Sequence, residues 1–237
     1  MAKAAAVLQR PEDLKDRVVP VSMGHYHVYF IQADDGYVLV DTGMPGNGRA
    51  LQRAFSRANV NPQDVKLIII THAHPDHVGS VADAKNATGA PVLCHEYAAP
   101  FIRAGKSSPI VAHGLLVKLL SAITPSRYKG VEPDVVIKDE YDLRDLGVAG
   151  QVIHTPGHTQ GSLTIVLENG EMILGDLVRG TGANIHIGSF YEDKEVLVQS
   201  LEKLAAYHAI KIYMSHGDLT DNEMFRRSIA AIKRRAK

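Results

Sequence analysis

The stretch of residues 66–77, KLIIITHAHPDH, decides the fold and the chemistry that we expect from this chain. Residues 66–70, KLIII, predict a strand covered on both faces, because such strands are apolar throughout and do not alternate. Residues 71–77, THAHPDH, follow at once and therefore lie at the carboxyl end of that strand. A histidine-rich loop in solvent rarely follows a buried strand directly, so the stretch indicates a site.

The spacing of the polar residues in this stretch predicts two groups of metal ligands. His72 and His74 are two residues apart, so in an extended segment their side chains point to the same side. Asp76 and His77 are adjacent, so their side chains diverge and can serve a second ion. Imidazole nitrogens and carboxylate oxygens are ligands that zinc, iron and manganese accept.

Three further motifs bring histidine or aspartate to predicted strand ends. The segment 154–159, HTPGHT, offers His154 and His158 around a Pro-Gly turn, and Asp176 and His216 follow two later strands. Each motif alone is typical of a cap or a turn. Together with residues 71–77 they form a set of metal-ligating residue types.

Composition excludes several other classes of protein. The chain has 237 residues with 26 basic and 26 acidic side chains, and this balance gives no support to nucleic-acid binding. The single cysteine, Cys94, excludes an internal disulfide and fits a reducing compartment. The amino-terminal run AAAVL is shorter than a secretory signal requires, and residues 110–123 fall short of a membrane span. We therefore expect a soluble, cytoplasmic protein that binds neither nucleic acid nor membranes.

No linker divides the chain, so we expect residues 1–237 to form a single domain. Residues 96–130, with three prolines around two apolar helical stretches, predict an inserted helical cap. Two stretches follow one plan, in which a strand end, a helix and a further strand deliver an acid and a histidine: Asp41 with His72, and Asp176 with His216. The predicted strands are 18–21, 26–32, 37–40, 66–70, 91–94, 150–153, 163–167, 171–174 and 211–214. The predicted helices are 47–58, 78–86, 194–208 and 222–235.

The ordered motifs DTG (41–43), HAHPDH (72–77), PGHT (156–159), GD (175–176) and HG (216–217) resemble those of the metallo-β-lactamase superfamily. The resemblance covers nearly the whole chain and is greater to the glyoxalase II-like and lactonase-like branch. It implies an α/β fold, the four-layer αββα sandwich of two mixed sheets.

The resemblance also implies a role for each matching residue. His72, His74 and His158 would hold a first metal ion, with His158 preferred over His154 because the family's ligand is the histidine of PGHT. Asp76, His77 and His216 would hold a second ion, and Asp176 would bridge the two. Asp41 would orient a ligand from outside the coordination shell.

The activity implied is that of a dinuclear metal-dependent hydrolase acting on an ester, thioester or lactone. Two Zn²⁺ ions are expected, with iron or manganese as options, and a hydroxide shared by the two ions would be the nucleophile. Asp76 is the candidate catalytic residue that carries a proton to the leaving group.

Three alternatives stay open. A persulfide dioxygenase would hold one iron with His72, His158 and Asp176, a set that leaves positions open for oxygen chemistry. A β-lactamase is a second alternative, although such enzymes usually have Cys or Ser where this chain has Asp176. A non-catalytic metal-binding protein is the third.

Four residues are predicted to line a pocket for a small-molecule substrate: His25, His27, Arg179 and His186. The apolar residues of the cap would either wall that pocket or form an interface between two copies in a homodimer.

Overall fold

The computed structural model describes residues 15–114, 126–182 and 184–236. The α-helices of this part are α1 (Gly48–Ala58), α2 (Pro75–Val78), α3 (Val81–Thr88), α4 (Ala99–Ala104), α5 (Lys194–Ala205) and α6 (Asn222–Ala236). The strands are β1 (Val18–Ser22), β2 (His27–Gln32), β3 (Tyr37–Val40), β4 (Val65–Ile69), β5 (Val92–His95), β6 (Val135–Ile137), β7 (Glu140–Asp142), β8 (Gly150–His154), β9 (Leu163–Leu167), β10 (Glu171–Ile173), β11 (Arg179–Thr181), β12 (Asn184–His186) and β13 (Lys211–Tyr213).

The strands form two mixed sheets and one short ribbon. The first sheet has the order β1-β2-β3-β4-β5-β6, antiparallel up to β3 and parallel from there on. The second has the order β13-β10-β9-β8-β7, in which only β13 and β10 are parallel. Strands β11 and β12 pair with each other. The sequence pattern thus predicted most of these strands to within a residue or two.

Alternation along the strands explains the four layers. In β2, Tyr29 and Ile31 face the second sheet, while Val28 and Phe30 face the helices on the opposite side. The inner core between the sheets also receives Ile165 from β9. Helices α1, α3 and α4 cover the outer face of the first sheet, and α5 and α6 cover that of the second. The predicted αββα sandwich is confirmed.

Strand ends from both sheets meet at one edge of the sandwich. The parallel strands β3 and β4 deliver Asp41 and residues 71–77 there. Leu163 N–H of the second sheet donates to the Thr71 carbonyl at 2.9 Å, so the two sheets are joined at this edge. The parallel strands β10 and β13 bring Asp176 and His216 to the same place.

The helix predicted over residues 78–86 differs in the structure, where α2 and α3 replace it. The His77 carbonyl accepts from the N–H groups of Thr42 and Gly43 at 2.6 and 3.2 Å, outside the helical pattern. Pro45 also packs so closely on Gly79 that a Cβ atom added to Gly79 would lie 2.2 Å from the nitrogen of Pro45. The loop after β3 therefore divides the helix.

Helix α4 is the described helical part of the predicted cap over residues 96–130. Ile102 is fully buried in the outer core, and Phe101 is partly buried against the same cluster, so both contribute to that core. The second apolar stretch of the cap lies mostly in residues 115–125, outside the described residues. Within the described ranges, no helix has the length and apolar character needed to cross a membrane.

Candidate metal centre

His72, His74 and His158 form the first of two groups of potential ligands. Nε2 of His158 lies 3.2 Å from Nε2 of His72 and 3.0 Å from Nδ1 of His74. All three side chains are buried. Two of the histidines come from the loop after β4, and the third comes from the turn after β8.

Asp76, His77, Asp176 and His216 form the second group. Nε2 of His216 lies 3.0 Å from Oδ2 of Asp76 and 3.3 Å from Oδ2 of Asp176. Nε2 of His77 lies 3.3 Å from Oδ1 of Asp176 and 3.8 Å from Oδ2 of Asp76.

The carboxylate of Asp176 lies between the two groups. Its Oδ2 is 3.3 Å from His216 in the second group and 3.8 Å from Nε2 of His158 in the first. The structure therefore brings together all seven residues predicted as ligands. Asp176 occupies the position from which one carboxylate can contact two ions.

Hydrogen bonds on the far side of each ring decide which nitrogen faces the centre. Nδ1 of His158 lies 2.8 Å from the Phe190 carbonyl, and Nε2 of His74 lies 3.2 Å from the Pro109 carbonyl. A carbonyl oxygen only accepts, so each of these nitrogens carries the proton. The inward nitrogen of each ring is thereby left as a lone pair for a metal ion.

The remaining histidines follow the same rule. Nδ1 of His77 donates to Oδ2 of Asp41 at 2.7 Å, and Nδ1 of His216 donates to the His25 carbonyl at 2.9 Å. The Thr71 hydroxyl donates to Asp41, and its oxygen accepts from Nδ1 of His72 at 3.1 Å. Every ring thus has an outer acceptor and directs its other nitrogen inward.

Asp41 orients two parts of the centre at once. It is buried, and its backbone has a φ of +60°, a conformation that Asp and Asn tolerate better than other side chains. Besides His77, it accepts from the Thr71 N–H at 2.8 Å and from the Thr71 hydroxyl at 2.7 Å. It therefore contacts one predicted ligand directly, His77, and reaches a second, His72, through Thr71.

The pKa values of the side chains distinguish the two groups. Burial lowers the pKa of His72 and His158, and it lowers the pKa of His74 to about 4, so these rings are neutral at pH 7. Burial alone would also lower the pKa of His216, but Asp176 reverses this and raises it to about 10. The first group is thus ready to bind a cation, whereas the second holds protons that a cation displaces.

The carboxylates of the second group are ionised. Burial raises the pKa of Asp76, but the charge of His77 and a hydrogen bond from His216 outweigh burial and lower it to about 2. The pKa of Asp176 is held well below its usual range by His216 and His77, against the effect of burial. Both carboxylates of the second group therefore offer anionic oxygens at neutral pH.

Two polar atoms show that the residues present fit a bound cation. His77 Nε2 and Asp176 Oδ1 are buried without a hydrogen-bond partner in the described part of the chain, although they lie 3.3 Å apart. Buried polar atoms without partners are costly, and a cation in the second group would satisfy both. Three inward imidazole lone pairs in the first group suit a second cation equally well.

The centre is open to solvent on the side of the second group. The Asp76 side chain is 29% exposed, whereas that of His77 is 1% exposed. The three histidines of the first group are at most 6% exposed. The centre is therefore accessible from the side of Asp76.

The four residues predicted to line a pocket lie in different places. His25 contributes its carbonyl to His216, and its side chain is exposed. The ring of His27 lies beside Tyr29, with centroids 6.2 Å apart. Arg179 and His186 face each other across the β11–β12 ribbon.

His186 also lines a cavity of about 240 Å³ on the flank of the molecule, together with residues that include none of the seven ligands. His154, the second choice for a ligand in the sequence, stacks on His95 with ring centroids 3.9 Å apart, and Nε2 of His154 bonds to the Gln160 carbonyl. His154 is therefore occupied elsewhere, and His158 is the histidine of this turn that reaches the centre.

Sequence reasoning missed the groups that orient the rings. The carbonyls of Pro109 and Phe190 carry no sequence signal, because every residue has a carbonyl. The sequence analysis assigned no role to Thr71, whose hydroxyl accepts from His72. Its position directly before His72 could have indicated that contact.

Comparisons with known proteins agree with this geometry. A family model described as the metallo-beta-lactamase superfamily matches residues 23–216. A probable metallo-hydrolase of Bacillus subtilis is 25% identical over 230 residues, which cover 88% of this chain and 87% of that protein. A probable metallo-hydrolase of Methanocaldococcus jannaschii is 29% identical over 193 residues, which cover 79% of this chain and 86% of that protein.

Solved structures show the same fold. A metallo-beta-lactamase of Cronobacter sakazakii with a HARLDQ motif superposes with a TM-score of 0.67 at 19% identity, covering 93% of this chain and 89% of that one. The metallo-beta-lactamase SMB-1, in a complex with mercaptoacetic acid, superposes with a TM-score of 0.69 at 21% identity, covering 93% and 92%.

Proposed function

This chain belongs to the metallo-beta-lactamase superfamily and is a metallo-hydrolase, and from that premise we propose that it is a dinuclear enzyme acting on a small carbonyl substrate. The substrate class is an ester, thioester or lactone. One observation carries the proposal: Asp176 lies within 3.8 Å of ligand nitrogens in both groups, so one carboxylate joins two ligand sets.

Seven ligands exceed what a single closed structural site uses, which is four. When bound, two divalent ions supply a deprotonated water at neutral pH and an electrophilic contact for the carbonyl oxygen. Their four positive charges exceed the two negative charges of Asp76 and Asp176, so the centre favours an oxygen that becomes negative.

The chain's own residues divide the remaining work. The neutral histidines of the first group hold one ion through inward nitrogens fixed by the carbonyls outside them. Asp41 fixes His77 in the second group. Asp76 is the most exposed of the ligands and its Oδ2 lies 3.0 Å from Nε2 of His216, so this oxygen is placed to carry a proton to the leaving group.

Zinc is the proposed metal and a soluble small molecule the proposed substrate. Imidazole and carboxylate ligands also accept iron and manganese, so metal content is the first measurement. We propose the glyoxalase II-like or lactonase-like branch, in keeping with the Asp at position 176 and with relatives named as probable metallo-hydrolases.

The test combines metal content with turnover. Protein purified without added metal is analysed for elements, then assayed on lactones, thioesters, esters and β-lactams. Asp176→Asn and His72→Ala are expected to abolish turnover with an unchanged circular dichroism spectrum. Asp34→Asn, at a carboxylate that is 73% exposed, is the matched control and should retain full activity.

Each outcome decides between functions. About two zinc ions per chain with turnover of a carbonyl substrate supports the proposal, and turnover of β-lactams alone would favour the β-lactamase. About one iron per chain with oxygen uptake would replace it with the persulfide dioxygenase, using His72, His158 and Asp176. A chain that binds metal but turns over no member of the panel with either metal would point to a non-catalytic protein.

A further inference from the structure

Two ligands of the first group are oriented by backbone carbonyls that lie outside the two sheets. His74 donates to the Pro109 carbonyl, and His158 donates to the Phe190 carbonyl. The other ligand histidines use Asp41, Thr71 and the His25 carbonyl instead, as described above. The first group therefore depends on the position of two peptide segments at the surface.

These segments pair with each other. We call residues 111–113 and 189–191 the cap ribbon, because the first of them belongs to the predicted cap. The centre of the ribbon is an antiparallel bridge between Ala112 and Phe190, and backbone hydrogen bonds of 2.8 and 3.2 Å lie on either side of it. The Phe190 carbonyl, which accepts from Nδ1 of His158, thus lies in the middle of the ribbon.

His113 fastens the ribbon with its side chain. Its ring stacks on that of Tyr191, with centroids 3.8 Å apart and an interplanar angle of 11°. Its Nε2 donates to the Tyr191 carbonyl at 2.9 Å, and its backbone N–H donates to the Ser189 carbonyl at 2.8 Å. His113 therefore contacts both residues next to Phe190 in the chain, Ser189 through its backbone and Tyr191 through its side chain.

The ribbon is also fastened from the side of the metal centre. The N–H of Glu192 donates to the His158 carbonyl at 3.0 Å, just after the ribbon ends. The N–H groups of Glu192 and Asp193 also donate to the Gly157 carbonyl, both at 3.0 Å, so the main chain after the ribbon is held on the turn. The peptide that carries the Phe190 carbonyl is held within the ribbon, where its N–H, on Tyr191, donates to the Val111 carbonyl at 3.2 Å. The contacts of His113 with Tyr191 keep that peptide in place.

We propose that His113 is a positioning residue that sets the first group of metal ligands by holding the Phe190 carbonyl against Nδ1 of His158. The inference rests on the proposed metal function. His113 is exposed, and within the described residues its ring stacks on Tyr191 and bonds to the Tyr191 carbonyl, so it acts on His158 through the ribbon. Its replacement should loosen the first group and leave the second intact.

Three variants separate this role from general stability. His113→Ala removes both the ring stack and the hydrogen bond to Tyr191. His113→Gln has a side-chain amide that can donate to the same carbonyl, so this variant should behave much like the wild type. Val111→Ala is the matched control, since Val111 is 39% exposed in the same ribbon and contributes its backbone carbonyl there.

The first readout is metal release. Transfer of Zn²⁺ from the loaded protein to an excess of chromophoric chelator should show two phases, one for each group. Loss of a partner outside the coordination shell typically weakens a metal site 10- to 100-fold, and His113 acts one contact further away. We therefore expect His113→Ala to accelerate one phase about 10-fold, and the glutamine variant and Val111→Ala to remain within about twofold of the wild type.

The second readout needs no metal. Imidazole N–H protons in buried hydrogen bonds give separate downfield proton NMR signals. In His113→Ala the Nδ1 proton of His158 should exchange faster with water, while that of His77, bonded to Asp41, stays unchanged.

Several results would overturn the inference. Unchanged release phases and an unchanged His158 signal in His113→Ala would exclude the positioning role. Equal acceleration of both phases, or the same effect from Val111→Ala, would mean that the ribbon only stabilises the fold. A wild-type protein that binds neither Zn²⁺ nor iron nor manganese would refute the proposed function, and the NMR comparison would still decide whether His113 positions His158.

Discussion

Replacing Asp41 by Asn is the most informative change at the centre, because it alters charge and hydrogen bonding without altering size. Asp41 Oδ2 accepts from His77 and from the Thr71 hydroxyl, both at 2.7 Å, and Oδ1 accepts from the Thr71 N–H. Its φ of +60° suits Asn as well as Asp, so the backbone is not strained by the substitution.

An asparagine cannot satisfy all three donors. If its amide nitrogen replaces Oδ1, it meets the Thr71 N–H donor to donor. If the nitrogen replaces Oδ2, it donates to Nδ1 of His77, which then carries its proton on Nε2 and turns an N–H towards the metal. Either arrangement leaves a buried polar pair unmatched, at a cost of about 1–3 kcal/mol.

That cost corresponds to a loss of about 10- to 100-fold in affinity for the ion in the second group. The assay titrates Zn²⁺ into metal-free protein in competition with a chromophoric chelator and resolves two binding steps. The step that belongs to His72, His74 and His158 should change less, because Asp41 reaches that group only through the Thr71 hydroxyl, which accepts from His72. Asp34→Asn, at an exposed carboxylate, serves as the control.

Two results would refute the reasoning about Asp41. Two binding constants in Asp41→Asn that match the wild type within twofold would mean that Asp41 does not orient His77. An equal loss at both steps would mean that the substitution disturbs the whole centre.

Three further predictions follow from buried groups. Burial raises the pKa of the Cys94 thiol to about 12, so iodoacetamide at pH 8 should label the unfolded chain but not the native one. Rapid labelling of the native protein would contradict the buried position of Cys94 in β5. Against the effect of burial, Asp176 raises the pKa of His216 to about 10 and that of His77 well above its usual value, so the second group must release two protons to bind a metal. Its affinity should fall about a hundredfold for each unit that the pH drops below neutral, and a pH-independent affinity would count against the assignment. Glu171 accepts from the Tyr213 hydroxyl at 2.7 Å and from the Val18 N–H. Glu171→Gln should therefore lower the free energy of unfolding, measured in urea, by about 1–3 kcal/mol without changing metal content. A loss of metal would show that the effect reaches the centre.

Much of the fold could be predicted from the chain itself. Strand β4 was evident because a continuously apolar run bounded by polar residues fits a strand covered on both faces. The four-layer order was implied by the resemblance of the ordered motifs, and the order of strands and helices agrees with it. The ligands were evident for a similar reason, since His and Asp at strand ends differ chemically from the residues around them.

The division of the helix at Gly79 could not be predicted, because its cause lies in another part of the chain. The carbonyl of His77 is taken by the N–H groups of Thr42 and Gly43, which belong to the loop after β3. Gly79 and Ser80 are weak helix formers and permit a break there, but the contact with the packed loop that fixes the break is not visible in residues 78–86. The same holds for His154, whose partner His95 lies in the other sheet.

The sequence by itself determined which side chains can bind a metal, because that property belongs to each residue type. Tertiary structure alone decided which nitrogen each histidine offers, since this depends on acceptors such as the carbonyls of Pro109 and Phe190. Every residue has the same backbone carbonyl, so the sequence does not show which carbonyls accept hydrogen bonds from the histidines. Only the folded chain brings particular carbonyls to the rings. For the same reason, the contact of His113 with the segment that holds His158 is a property of the fold and not of any motif.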